Sequence, residues 1–352
     1  MPGPAAMPRP PQQGAPAFRP APPETFRVGL LLPLTGGNAV LGEAMLEAAQ
    51  LALFQQGDAR VEFLPRDTRG TPAGAANAAR EVLAGGARVI AGPLTLGETQ
   101  AVTPATRGAG VPLLAFTSDE AQAGPGVWVL GTTPTQAVRR VVQAAAGVGA
   151  TRFALVAPED AFGQRLAQAL TQAARDAGGP PPVLALFPPR GDAAGAAAQA
   201  AAANPQAVLI GAGGATARQI AQVLAASPAR PRLFGTHLWM ADAEVAGEPA
   251  LAGAWFPGPD PGGRGRFEAS FAQAFVERPP RLAGVAYDAA ALAARTARDG
   301  APPVGQGFMG ADGPIRMDAT GRVFRGLALY EVRPGSEPVP IQAAPDPGAA
   351  GS

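Results

Sequence analysis

Three segments place hydroxyl and amide side chains where a strand gives way to a helix: LPLTGGNAVLG (32–42), AGPLTLGE (91–98) and LLAFTSDE (113–120). Such a junction can cradle a phosphate, hydrogen-bond a neutral solute, or simply cap the helix that follows. The phosphate reading fails on spacing. A dinucleotide fingerprint needs G-x-G-x-x-G, whereas the glycines here are Gly36, Gly37 and Gly42, and a P-loop needs a lysine, which this chain lacks. What remains at the first junction is a turn that needs φ > 0 and presents Thr35, Asn38 and backbone N–H groups at a helix start. Thr95, Thr117 and Ser118 hold the corresponding places at the other two junctions. Capping and ligand binding are both open to them, and three such loops on one rim favour a polar binding edge.

PEDAFG (158–163) and GTHLWMAD (235–242) add Asp160, Phe162, His237 and Trp239. Asp160 suits a helix cap and Phe162 a core position. A lone histidine beside apolar residues is more often structural than catalytic. The chain has one histidine, no cysteine and no G-x-S-x-G elbow, so no nucleophile–base pair can be assembled in the usual ways. Disulfides, zinc-thiolate sites and iron–sulfur clusters are excluded with the cysteines. Glu43 and Glu47 stand one helical turn apart, but a solvated helix face explains them better than a metal site does. The expectation is a protein that binds rather than catalyses, with no cofactor and no metal.

At 352 residues and 47% hydrophobic, the chain can bury one large core or two medium ones. Its 28 basic residues, all arginine, nearly balance 27 acidic ones. That balance leaves no electrostatic footprint for nucleic acid or an anionic membrane surface. No apolar run approaches the ~18–20 residues needed to span a bilayer. The N-terminal MPGPAAMPRPPQQGAPAFRP has no apolar core of the kind a secretion signal requires. It is expected to be a disordered Pro-rich leader (1–25), and the C-terminal segment 334–352 a disordered tail.

These loops must be held by an alternation of buried strands and helices. Apolar runs at 27–34, 61–65, 88–93 and 111–116 form one series, with 127–134 joining it; runs at 152–158, 182–188, 207–213 and 232–236 form a second, closed by 251–259. Helical stretches at 41–54, 72–85, 97–108, 134–147, 162–177 and 215–226 fill the gaps. Continuous apolar strands separated by helices indicate parallel sheets covered on both faces. Two such series imply two α/β lobes. Two further helices, 266–277 and 283–298, return to the first lobe, so the chain crosses more than once and the crossings act as a hinge. GADGPIRMDATGRVFRGLALYEV (310–332) reads as a hairpin with a D-A-T-G turn and one final strand. Ligands in open α/β sheets bind beyond the carboxyl ends of the strands, so two facing lobes share one cleft.

Taken in order, VGLLLPLTG, LGEAMLEAAQLAL, LPRDTRGTP, VIAGPLTLGETQAV, GVPLLAFTSD, APEDAFG, the YDAAAL helix and GADGPIRMDATG resemble the type I periplasmic binding proteins, the leucine/isoleucine/valine-binding-like group. The likeness covers roughly residues 26–333 and looks strongest to the branch of penicillin-binding protein activators related to LpoA. It implies an α/β fold of two Rossmann-like lobes joined by three crossover strands, the third near residues 308–316. Lobe one would comprise 26–132 and 260–308, and lobe two 133–259 and 309–333. It also implies a ligand cleft lined by Thr35, Asn38, Thr95, Phe116, Thr117, Ser118 and Tyr287 from the first lobe. The second lobe would supply Phe162, which replaces the tyrosine of the family's Tyr-Gly pair, with His237 and Trp239.

Two functions from different classes follow from the resemblance. The leading one is a non-enzymatic periplasmic activator that binds a small polar ligand, a peptidoglycan synthase, or both through its two-lobed cleft. The alternative is a substrate-binding protein that delivers an amino-acid-like or amide-like solute to an ABC permease. Either would work in the periplasm, with a signal or lipid anchor outside the sequence given. Amino-acid-binding relatives place a carboxylate about where His237 stands, and the next acid, Asp242, falls toward the following helix. Free aliphatic amino acids are therefore expected to bind poorly, and a neutral or anionic ligand, or a peptide-like fragment, suits His237 and Trp239 better.

Overall fold

In a computed structural model of the chain, residues 24–348 are described; the leader expected at 1–25 and the last four residues of the tail lie almost wholly or wholly outside that range. Strand β1 (Phe26–Leu32) leads through the Gly-Gly turn into α1 (Ala39–Gln56), followed by β2 (Val61–Asp67), α2 (Pro72–Ala84), β3 (Val89–Ala91), α3 (Leu96–Ala109), β4 (Leu113–Ala115) and β5 (Val127–Val129). All five strands pair in parallel, in the order β2-β1-β3-β4-β5. From Val28 on, β1 is buried along nearly its whole length, which is why it reads as a continuous apolar run.

After α4 (Pro134–Gly147) the second series runs β6 (Phe153–Pro158), α5 (Ala161–Asp176), β7 (Val183–Phe187), α6 (Ala193–Ala202), β8 (Ala207–Ile210), α7 (Gly214–Ala226), β9 (Arg232–Phe234), α8 (Ala243–Ala246) and β10 (Trp255–Gly258). The chain then forms α9 (Pro261–Phe275) and α10 (Ala283–Asp299). Five short strands end it: β11 (Gly307–Gly310), β12 (Gly313–Met317), β13 (Val323–Arg325), β14 (Ala328–Glu331) and β15 (Val339–Gln342). The second sheet has the order β15-β14-β10-β9-β8-β6-β7, parallel except for β14 and β15. Helix starts follow local chemistry. Thr71, Thr95, Thr133, Asp160, Asp192 and Asp260 each accept a backbone N–H of the first turn, and Pro72, Pro134 and Pro261 sit where no N–H is needed.

Each sheet is covered on both faces. One core joins β1 to α1 and α10, with Phe267 and Phe271 of α9; α2 and α3 close the opposite face. In the second lobe α6 and α7 cover one face and α4 and α5 the other.

The chain passes between the lobes at 129–134, at 258–261 and at 325–328. The third passage differs from the expected 308–316. Ile315, Met317 and Val323 pack in the first core, and β11-β12-β13 form a small antiparallel sheet of their own. Nor is the last strand single: it breaks at Gly326, where a Cβ would lie 2.1 Å from the Pro345 carbonyl oxygen, and β14 joins the second sheet instead. The tail expected to be disordered from 334 contains β15, which pairs antiparallel with β14. The passages are tied together by side chains. Trp128 Nε1 donates to the Asp318 carbonyl at 2.8 Å, and Arg140 Nε to that of Leu327 at 2.7 Å. Arg325, 1% exposed, bridges Asp288 at 3.0 Å and donates to the Leu130 carbonyl at 3.1 Å. Asp288 also accepts the Ala311 N–H at 2.6 Å. Burial pushes its carboxyl up to about 6, against the pull of Arg325 and that N–H.

Candidate functional site

The loop after β1 holds an aspartate. Asp67, at the end of β2, accepts the N–H groups of Leu34, Thr35 and Arg69 and the Thr35 hydroxyl at 2.6 Å. Although desolvation works the other way, these hydrogen bonds hold the carboxyl below its usual range. Gly36 has φ 86°, and a Cβ on Gly42 would meet the Pro33 carbonyl oxygen at 2.1 Å, so helix and loop touch backbone to backbone. Thr35 is thus spent inside the loop, and neither it nor Asn38 lines the cavity between the lobes.

The second and third loops do. Beyond the carboxyl ends of β3 and β4, and facing residues of the second lobe, lies a cavity of about 560 Å³, within the range of small-molecule sites. Thr95, Phe116, Thr117, Ser118 and Asp119 line it from the first lobe. Thr95 forms a reciprocal capping box with Glu98, so capping and cavity lining coincide at this residue. Thr117 Oγ1 accepts the Asp119 N–H at 3.1 Å, which leaves its own hydrogen free. Ser118 is exposed at the rim.

From the second lobe come His237, Leu238 and Arg165. Thr236 caps the short helical turn that carries His237 and Trp239. His237 Nδ1 is buried with no hydrogen-bond partner among the described residues. Burial, reinforced by Arg281 nearby, drives the imidazole down to about 4, so it is neutral at pH 7. Trp239 points away from the cavity: its ring covers Gly235, its Nε1 donates to the Ala212 carbonyl at 2.8 Å, and it is 1% exposed. Phe162 packs into the core beneath α5, and it is Arg165, one turn further along, that reaches the cavity. Tyr287 packs against Phe267 and hydrogen-bonds Gln55 on α1. Of the ten anticipated residues, then, Thr95, Phe116, Thr117, Ser118 and His237 line the cavity, and Thr35, Asn38, Phe162, Trp239 and Tyr287 do not.

Three arginines in the wall escaped the sequence reading, and their partners separate them. Arg165 reaches across the lobes to Asp119 at 2.7 Å. Arg264 is saturated: Glu268 at 2.7 Å, Asp312 at 3.3 Å, and the carbonyls of Pro279 and Arg281. The side chain of Arg281, just ahead of α10, makes among the described residues only a 3.4 Å bond to the His237 carbonyl, again across the lobes. Burial lowers its pKa, Asp312 offsets part of that effect, and Arg264 adds to it. The remaining lining is mainly apolar, with Leu94, Leu96, Leu238, Leu282, Val285 and Leu327. Among the described residues no group of three acidic or histidine side chains gathers as a metal site would require, and no helix is long and apolar enough to cross a membrane.

No curated protein matches the chain in sequence. Among solved structures, a protein from Rhodospirillum rubrum named for a branched-chain amino acid ABC transporter has a TM-score of 0.78 at 22% identity, covering 90% of this chain and 100% of that one. An ABC-transporter solute-binding protein from R. palustris in complex with benzoate has a TM-score of 0.59 at 22% identity, covering 93% and 99%. Full-length LpoA from Haemophilus influenzae has a TM-score of 0.73 at 16% identity, covering 91% of this chain but 59% of that one. At these identities the likeness is one of fold. The sequence profile described as periplasmic binding protein matches residues 25–329, nearly the whole described chain, and with it the chain belongs to the type I periplasmic binding protein family, the branched-chain amino acid-binding-like group.

Proposed function

We propose that this protein is the solute-binding component of an ABC importer, a non-enzymatic periplasmic protein that encloses one small organic solute between its lobes. The observation that carries the reading is the cavity itself: about 560 Å³, walled by both lobes, mainly apolar, with a few convergent polar groups. The cross-lobe contacts of Arg165 and Arg281 mark a closed arrangement around that space. The benzoate-bound neighbour supports a compact organic solute with an apolar body. The leading expectation from sequence, an activator docking on a peptidoglycan synthase, has the weaker support. It rests on fold likeness to LpoA, of whose chain only 59% is covered. Crosslinking in the native host followed by capture of the full chain should recover an ABC permease. Recovery of a peptidoglycan synthase and no permease would reverse the choice.

A further inference from the structure

We propose, building on the solute-binding reading, that the cavity selects solutes with a single carboxylate and no ammonium group, Arg281 taking the charge and His237 hydrogen-bonding beside it. Most charges in the wall are already matched. Both aspartates that line the cavity, Asp119 and Asp312, pair with arginines, Arg165 and Arg264. Among the described residues that line the cavity no free carboxylate is left for a ligand's ammonium group, and an amino acid would bury that cation unpaired.

Arg281 is the reverse case. It is partly buried, has no carboxylate in contact among the described residues, and spends one N–H on a long bond to a carbonyl. A guanidinium presents five donors in a planar fork suited to a carboxylate. His237, whose carbonyl Arg281 touches, lines the cavity as well, and its Nδ1 has no partner among the described residues. Buried polar atoms without partners call for a ligand or a bound water. A carboxylate here would accept from the guanidinium and from an imidazole N–H, while the apolar walls hold the rest of the solute. The free hydrogen of Thr117 and the hydroxyl of Ser118 lie on the facing rim, available to a second polar substituent.

The test uses matched probes on the full chain by isothermal titration. These are benzoate against benzamide, and 4-methyl-2-oxopentanoate against leucine, with hexanoate as a flexible carboxylate. At least one carboxylate should bind, roughly ten- to a hundredfold tighter than its uncharged or zwitterionic counterpart, as charged hydrogen bonds do. Arg281→Gln should erase that preference, bringing the carboxylate's affinity down to that of its uncharged or zwitterionic counterpart. His237→Phe should weaken the carboxylate alone. Benzamide or leucine binding as tightly as its counterpart would overturn the charge selection and leave solute binding standing. No binding by any probe at millimolar concentration would overturn both readings.

Discussion

The pair Asp119–Arg165 offers a sharp test of closure, because each partner is anchored in a different lobe. Asp119 follows β4 and its side chain is 7% exposed; Arg165 lies on α5 and is 35% exposed, with 2.7 Å between them. Substituting Asp119→Asn removes the charge but keeps an oxygen to accept the Ala121 N–H, a bond of 3.1 Å that sets the local turn. Exposed pairs contribute up to ~1 kcal/mol, and breaking a fully buried one costs ~3–5 kcal/mol. A pair buried on one side only falls between, so the closed state should lose ~1–3 kcal/mol, roughly a five- to hundredfold shift toward the open state. The chain has no cysteine, so cysteines introduced at the exposed Gln50 on α1 and Gln168 on α5 would carry the only dyes. Single-molecule energy transfer should show the long-distance population rising in the variant, and dissociation of a bound solute accelerating by a similar factor. Thermal stability of the lobes should hardly change, since neither core is touched. An unchanged distance distribution and dissociation rate would refute the strut.

Two further outcomes follow from buried groups. His237 is the chain's single histidine, so its imidazole signal can be titrated by NMR without assignment. Its folded pKa near 4 lies below the ordinary value of 6.5. The neutral ring therefore contributes stability that is fully present above pH 6.5 and lost as pH falls through 4. The contribution is at most about 3 kcal/mol, and less because one side of the ring faces the cavity. A midpoint near 6.5 would show the ring to be solvated. Asp288→Ala should strand Arg325 in the core between the lobes and cost ~3–5 kcal/mol of stability in chemical denaturation; a loss below 1 kcal/mol would mean that Arg325 finds water.

What could be read from sequence follows from how local each signal is. The buried parallel strands announce themselves because Leu30, Leu31 and Leu32 are apolar on both faces. Strand β15 does not, since VPIQ is an edge strand with alternating half-exposed residues and a proline, and it exists only because β14 offers it a ladder. Likewise RVFRGLALYE reads as one strand. The break at Gly326 comes from outside it, from the Pro345 carbonyl and from Asp288, which draws Arg325 toward α10. The binding loops divide the same way. Thr95, Thr117 and Ser118 sit at strand ends that any parallel sheet turns toward its ligand edge, whereas Thr35 is withdrawn by Asp67, 32 residues away. The arginines are the extreme case. Among 28 of them, nothing in composition or spacing distinguishes Arg281 from Arg165 or Arg264. They differ in which acids lie within reach, and those acids come from other elements: Asp119 from the loop after β4, Asp312 from the turn between β11 and β12. Pairing decides their roles. A paired arginine contributes shape to the wall, while an unpaired one keeps its charge for whatever enters, and that distinction exists only once the chain has folded.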